Sequence, residues 1–299
     1  MRYIAFLFIL LFCETAGGDT FELPRKNVLP AAFKVEANVN GQQYHRIQTD
    51  HYDIAAPSIE DGNRIGGRLE HLYSVWILLA AEFMKETKIE PPPRRLRVIL
   101  YRNQQEYRLD LRRWDARIAD TNGLYYTPSH TVYFFSTEAE VVLHEGTHQI
   151  LAEHFFLEKT SAFRSNFWIV EGIALLMQTL KVESKRYVIG NILANRLYSA
   201  KVYRFERNHY LSIQKLTAMS QEQIQKSADL QQIYSQSAAL THWLMFAEEG
   251  RYRRALFELL RRTYLDTAKP ETLSELTGLS YEEIDQKYAE FLKMIPDEK

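Results

Sequence analysis

The stretch Thr137-Glu138-Ala139-Glu140-Val141-Val142-Leu143-His144-Glu145-Gly146-Thr147-His148-Gln149-Ile150-Leu151 decides how the rest of the chain is read. Val141, Val142, Leu143, Ile150 and Leu151 coat most of its circumference with apolar side chains once it is wound, which predicts a packed helix over 137–157. Thr137 and Glu140 have the spacing of a capping box, so the helix is expected to open there. His144 and His148 are four residues apart and project from one face, with Glu145 beside them. Two imidazoles and a carboxylate on a buried helix are costly to desolvate unless something pairs with them. The H-E-x-x-H spacing supplies that partner: two neutral imidazoles bind one Zn²⁺, and the intervening glutamate activates the water on the metal. An exposed helix with two ordinary histidines fits the apolar surroundings poorly.

A zinc site of this kind takes a third protein ligand and leaves a fourth position open. Two residues compete for that place. His154 stands six residues after His148, the offset of a pattern in which a glycine midway turns the chain so that a third histidine swings round. Here that midway residue is Leu151. A helix that simply continues advances about 240° over six residues and points His154 away from the metal. Glu171, in Asn166-Phe167-Trp168-Ile169-Val170-Glu171-Gly172-Ile173-Ala174, lies on the next predicted helix. The chain between is long enough to close one helix, turn, and pack the second against it, and Gly172 permits a close approach.

Outward from this pair, the N-terminal half reads as strands around one long helix. His45 to Ile54 alternates like a strand, and Leu69, Leu72, Trp76 and Leu79 mark a helix over 63–85. Pro91-Pro92-Pro93 breaks the chain. Leu96 to Leu100 is a compact strand before a charged helix from Gln104 to about Trp114. Asn122-Gly123 is a turn signal, and Leu124-Tyr125-Tyr126 with Thr131 to Phe135 predicts a hairpin or two neighbouring strands. Residues 21–43 carry scattered prolines and suggest an irregular entry or a first edge strand. After Thr137 the pattern is helical, with helices predicted at 166–180, 186–205, 231–249, 251–265 and 281–294. Strands first and helices afterwards predict an α+β fold: a small N-terminal mixed sheet with helices, then a mainly helical C-terminal lobe.

At the N-terminus, Arg2 precedes an apolar run from Tyr3 to Cys13, followed by Ala16, Gly17 and Gly18. This reads as a signal peptide over 1–18, which implies a secreted or periplasmic protein. The run is too short to span a bilayer, and no later segment comes closer, so no transmembrane segment is expected in the mature chain. Leu10-Leu11-Phe12-Cys13 only loosely resembles a lipoprotein box, because Phe12 stands where a small residue is needed, which argues against a lipid anchor. Cys13 is the only cysteine, so a mature chain has no disulfide and no thiol nucleophile. A net charge of −1 gives no electrostatic case for nucleic acid. The remaining 19–299 reads as a single unit, with an irregular entry at 19–45, a sheet lobe with the motif helix at 46–157, and a helical lobe at 158–299.

His144-Glu145-Gly146-Thr147-His148 followed by Trp168-Ile169-Val170-Glu171-Gly172-Ile173-Ala174 resembles the H-E-x-x-H and W-x-x-E-G-x-A pair of gluzincin metallopeptidases, in the peptidase MA-like group. That group includes bacterial exported domains of unassigned function. Weaker similarity continues through Tyr234-Ser235-Gln236-Ser237-Ala238-Ala239-Leu240 to Leu279-Ser280-Tyr281-Glu282-Glu283, so the resemblance covers roughly residues 94 to 294. It implies a zincin-like fold in which the strand Thr131 to Phe135 forms the edge of the cleft. It also implies that His144, His148 and Glu171 hold one zinc ion, and that the Tyr234 phenol stabilises the oxyanion. His242, near the same helix face, reads as a core or surface residue.

These readings converge on a zinc-dependent hydrolase acting on a peptide or protein. Glu145 would take a proton from the water on zinc and pass it to the leaving amine. An extended substrate would pair with the edge strand. The competing expectation is a zincin-like domain that binds zinc and a peptide or cell-envelope partner without turning it over.

Overall fold

A computed structural model of the chain describes residues 20–26, 35–39, 41–84, 92, 94–113, 121–155, 163–192 and 194–297. The expected signal peptide, including Cys13, lies outside the described residues, as do Trp114 and 156–157. Strands β1 (Phe21–Pro24), β2 (Val35–Val39), β3 (Gln42–Gln48) and β4 (Tyr52–Ala56) lead into helix α1 (Ile59–Phe83). Strand β5 (Leu96–Leu100), helix α2 (Gln104–Leu111) and strands β6 (Gly123–Tyr126) and β7 (Thr131–Phe134) follow, and then the motif helix α3 (Ala139–His154). Beyond it come α4 (Phe167–Met177), β8 (Lys181–Val182), β9 (Arg186–Ile189), α5 (Asn195–Phe205), α6 (Ile213–Ala218) and α7 (Gln221–Gln225). The chain closes with α8 (Leu230–Gly250), α9 (Arg253–Tyr264), α10 (Thr272–Thr277) and α11 (Tyr281–Met294). This is the α+β arrangement expected from the sequence.

The main sheet has the order β2-β3-β4-β5-β7-β6. Its centre is parallel (β4 with β5, β5 with β7), and its flanks are antiparallel. The β4-to-β5 crossover is made by α1, whose Ile65, Leu69, Leu72, Trp76 and Leu79 are buried in one stripe. That stripe is the period read from the sequence. One apolar core runs from the sheet and α1 through α3 and α4 to α8, α9 and α11, joining both halves of the chain.

Several boundaries differ from the sequence reading, each for a local reason. Where it is described, the entry segment takes the edge-strand alternative: β1 and β2 are strands at the edges of the two sheets, and Phe21 and Leu23 are buried. β1 pairs with β9 of the C-terminal half, a partner that a local reading does not supply. His45 to Ile54 is two strands, β3 and β4, joined by a turn at Thr49–His51. Residues 186–205 are not one helix: Arg186 to Ile189 alternates exposed and buried as a strand, and Gly190 at φ +88° ends it. The capping box at Thr137 does not form. Glu138 takes the N-cap position without a side-chain bond, its N–H going to Ser136 Oγ, and the Thr137 carbonyl accepts from Arg68 of α1. The cleft's edge also moves: β7 lies between β5 and β6, so β6 is the edge strand.

Two glycines set how closely the helices approach the site. A Cβ on Gly146 would meet Leu69 Cδ2 at 2.6 Å, so α3 lies directly on α1. A Cβ on Gly172 would meet Thr241 Oγ1 at 2.1 Å and the Ser237 carbonyl at 2.9 Å, so α4 lies directly on α8. The second clash involves backbone and has no rotamer escape. Gly172→Ala should therefore destabilise the fold by about 1–3 kcal/mol in urea unfolding. Gly67→Ala, on α1 with open space around a new Cβ, should stabilise it by roughly 0.5–1 kcal/mol. Equal stability of Gly172→Ala and the parent protein would contradict the close α4–α8 contact.

Candidate metal centre

The motif helix is anchored before its chemistry is considered. Gln149, fully buried, donates from Nε2 to the carbonyls of Arg97 (2.9 Å) and His130 (3.3 Å), tying α3 to the starts of β5 and β7. Thr147 satisfies its hydroxyl inside the helix by donating to the Leu143 carbonyl at 2.7 Å. With Gly146 against α1, these contacts leave His144, Glu145 and His148 on the face that looks into the cleft. His144 and His148 are both partly exposed there.

Every residue of α4 from Phe167 to Met177 is buried. Its start is fixed by Asn166, which takes a left-handed conformation (φ +56°) that asparagine tolerates better than most residues. The Asn166 N–H donates to the Thr217 carbonyl at 2.8 Å and its Nδ2 to the Lys269 carbonyl at 2.9 Å. Glu171 is thus held one turn into a helix with no solvent of its own. A lone carboxylate buried in this way costs several kcal/mol unless compensated.

The compensation is geometric. His144 Nε2 and His148 Nε2 are 3.2 Å apart, and Glu171 Oε2 lies 3.5 Å from the first and 3.7 Å from the second. Glu171 Oε2 is buried and receives no hydrogen bond. Bonds of about 2.1 Å in tetrahedral arrangement require donor atoms about 3.4 Å apart, so the triangle fits one metal ion. Two nitrogens and one carboxylate oxygen are also a donor set that transition metals accept. Among the described residues, His144, His148 and Glu171 are the group of ligating side chains close enough to do this.

The electrostatics agree. Burial alone would raise the Glu171 pKa, but the imidazoles of His148 and His144 reverse this and hold it well below the usual carboxylate range. Burial would lower the His148 pKa, and the charges of Glu171 and Glu145 outweigh it, so the net shift is upward. His154 is elsewhere. It packs edge-on against Trp76 (5.4 Å between ring centres) and Phe155 (4.7 Å), and burial lowers its pKa. The continuing helix carries it away from the centre, as the missing glycine at Leu151 implied.

Glu145 and Tyr234 line the same cleft, about 730 Å³ in volume, as the three ligating residues. Glu145 Oε2 accepts from the Tyr125 backbone N–H at 3.0 Å, so the edge strand β6 holds this carboxylate directly. Gly123 makes the contact possible, since a Cβ there would meet Glu145 Cγ and Val141 Cγ1, each at 3.0 Å. Tyr125 is held in turn: its phenol donates to Glu153 Oε1 at 3.1 Å, which also pairs with His130 Nδ1 at 2.7 Å. Burial and the carboxylates of Glu171 and Glu145 push the Tyr234 pKa well up, so its phenol stays protonated and able to donate. His242 is in the core, stacked on Phe291 and tilted against Phe246.

Sequence reasoning missed Tyr125, Glu153 and His130. The Asn122-Gly123 pair was visible, but as a turn signal. Its glycine serves the helix–strand approach, and the hairpin bend lies at Thr127–His130, with His130 at φ +52°.

A family model described as a protein of unknown function (DUF1570) matches residues 138–267, a span that contains His144, Glu145, His148, Glu171 and Tyr234 but neither Tyr125 nor His130. A search of curated proteins returns no match.

A pH dependence follows from the shifted groups. The raised His148 pKa gives stability that is present below its ordinary value of 6.5 and lost as pH rises through the folded value. The lowered Glu171 pKa gives stability present above its ordinary 4.5 and lost as pH falls through the folded value. Metal-free protein should therefore draw most on this pair between those two ordinary values. Metal must displace the His148 proton, so its affinity should fall about tenfold per unit as pH drops below the His148 pKa. Chelator competition from pH 5.5 to 8 measures this, and a flat affinity across that range would contradict the ligand assignment.

Proposed function

We propose that the protein is an exported zinc-dependent metallopeptidase of the gluzincin type. The observation that carries the reading is the buried, unbonded Glu171 Oε2 facing two imidazole nitrogens at tetrahedral spacing, with Glu145 in the same cleft. Zinc is the proposed ion because a His₂Glu donor set with an open position is its usual hydrolytic arrangement. When bound, it supplies a Lewis acid that acidifies water and polarises a carbonyl oxygen.

The protein's own residues do the remaining work. Glu145 accepts the proton released as water attacks, and delivers it to the nitrogen that leaves. The Tyr125 N–H fixes one oxygen of that carboxylate, which orients the group without neutralising it. Tyr234, kept protonated, donates to the oxygen on which negative charge develops. Strand β6 is the edge of the main sheet beside this site, with its Tyr125 N–H given to Glu145, and an extended peptide can lie along the rest of that edge by strand addition. Export rests on the apolar segment Tyr3 to Cys13, and among the described residues no helix is long and apolar enough to cross a membrane.

The test is a Glu145→Gln variant assayed beside the parent protein on a broad peptide library, with metal content measured on both. The expected result is full zinc occupancy in both and a loss of turnover of at least about 10²-fold in the variant. Zinc-loaded parent protein that binds peptides and cleaves none would replace this reading with a non-catalytic binding domain. Equal turnover in the variant would remove Glu145 from the role of base.

A further inference from the structure

A second cavity, of about 620 Å³, lies beside the catalytic cleft between the C-terminal end of α4 and the start of α5. It is lined by Lys181, Asn191, Asn195 and Arg196 over an apolar floor that includes Leu175 and Leu197. The two cavities share Glu140 and Gln178 as common wall. That wall is held by one exposed contact, Gln178 Nε2 to Glu140 Oε2 at 3.3 Å. Each volume falls in the range of about 300–1,000 Å³ typical of ligand sites.

The charge on the two sides differs. The catalytic cleft is lined by Glu138, Glu145 and Glu171, with Glu140 in the shared wall, and among the described residues no lysine or arginine lines it. Beyond the wall stand two cations. Arg196 Nη1 donates to Gln231 through its carbonyl (3.4 Å) and its Oε1 (2.8 Å), both neutral acceptors. Among the described residues, no carboxylate lies within ion-pair distance of Arg196 or Lys181. Arg68, Arg95 and Arg253 likewise donate to neutral backbone carbonyls, so what sets Arg196 apart is its place in a cavity wall beside the cleft. Arg196 is also tied to the catalytic residues, because Gln231 precedes Tyr234 by nearly one turn of α8 and lines the cleft.

We propose that this second cavity is a substrate subsite that takes a carboxylate beyond the scissile bond. Arg196 and Lys181 supply the charge, and Asn195 beside them can supply an amide donor. Those two cations orient the peptide with its carboxylate end toward α5. The Gln178–Glu140 contact parts to let the chain pass. A C-terminal carboxylate and an aspartate or glutamate side chain present the same chemistry. This inference rests on the peptidase reading for its substrate.

The test uses metal-loaded protein and one short peptide made as the free acid, as the C-terminal amide, and as amides carrying Glu or Gln at successive positions. KM and kcat are read on the parent protein and on a Lys181→Ala, Arg196→Gln double variant. Dissociation constants are read calorimetrically on both in a Glu145→Gln background. The parent should favour a carboxylate form over its neutral match by at least about tenfold in KM and Kd, and in the double variant that ratio should fall to about one. Preference for the free acid assigns the site to a chain terminus, and preference for one internal Glu assigns it to a side chain. Equal binding of all forms, or a preference that survives in the double variant, overturns the inference. Carboxylate-selective binding without cleavage by any protein would leave this subsite standing and remove the peptidase reading instead.

Discussion

Glu171 on a fully buried helix must be compensated, and the rest of the site is arranged around that constraint. Its carboxylate oxygen faces two imidazoles contributed by a different helix, so α3 and α4 need to be held at one separation and one rotation. A shift of an ångström would lengthen the donor triangle beyond what a single ion spans. The fold meets this demand by removing side chains where helices touch. Gly146 lets α3 settle on α1, and Gly172 lets α4 settle on α8. Asn166 then fixes where α4 begins, and Gln149 ties α3 to the parallel centre of the sheet. The ligand geometry is a consequence of packing that extends across both halves of the chain.

Strand β6 brings the sheet into the same chemistry. It is the edge of the main sheet and runs close enough to α3, at Gly123, for the Tyr125 N–H to reach Glu145. Glu153 lies two turns further along α3 and grips the same hairpin through the Tyr125 phenol and His130. One strand thus positions the carboxylate and, in the proposed peptidase, is the edge along which an extended substrate would lie. The Tyr125 N–H cannot do both at once, so strand pairing by a substrate at that residue has to compete with the bond to Glu145.

The residues that could hold a metal were legible in the sequence because their signals are local. His144 and His148 share a face by helical arithmetic alone, and the absence of a glycine at Leu151 already directs His154 elsewhere. Glu171 required the further expectation that a second apolar helix packs on the first, which the run from Phe167 to Met177 supports. The α1 stripe and β5 were equally plain, being strictly periodic. What stayed hidden depends on partners distant in the chain. β1 becomes a strand by pairing with β9, more than 150 residues away. The edge position of β6 depends on sheet order, and the hold of Tyr125 on Glu145 uses a backbone N–H, which carries no residue signature. The missing capping box is the reverse case, a good local signal set aside because the Thr137 carbonyl is taken by Arg68.

Two imidazoles and one carboxylate, from two helices packed at glycines, are placed to hold a single ion. X-ray absorption at the zinc edge on protein reconstituted with one equivalent of Zn²⁺ tests this most directly. Two histidine nitrogens and one carboxylate oxygen are expected within about 2.0–2.2 Å of the metal, with an additional light scatterer from solvent. The same measurement on Glu171→Gln should show a changed oxygen shell or weakened loading, and on His154→Ala no change. A spectrum fitted by three histidines, or one altered by His154→Ala and indifferent to Glu171→Gln, would contradict it.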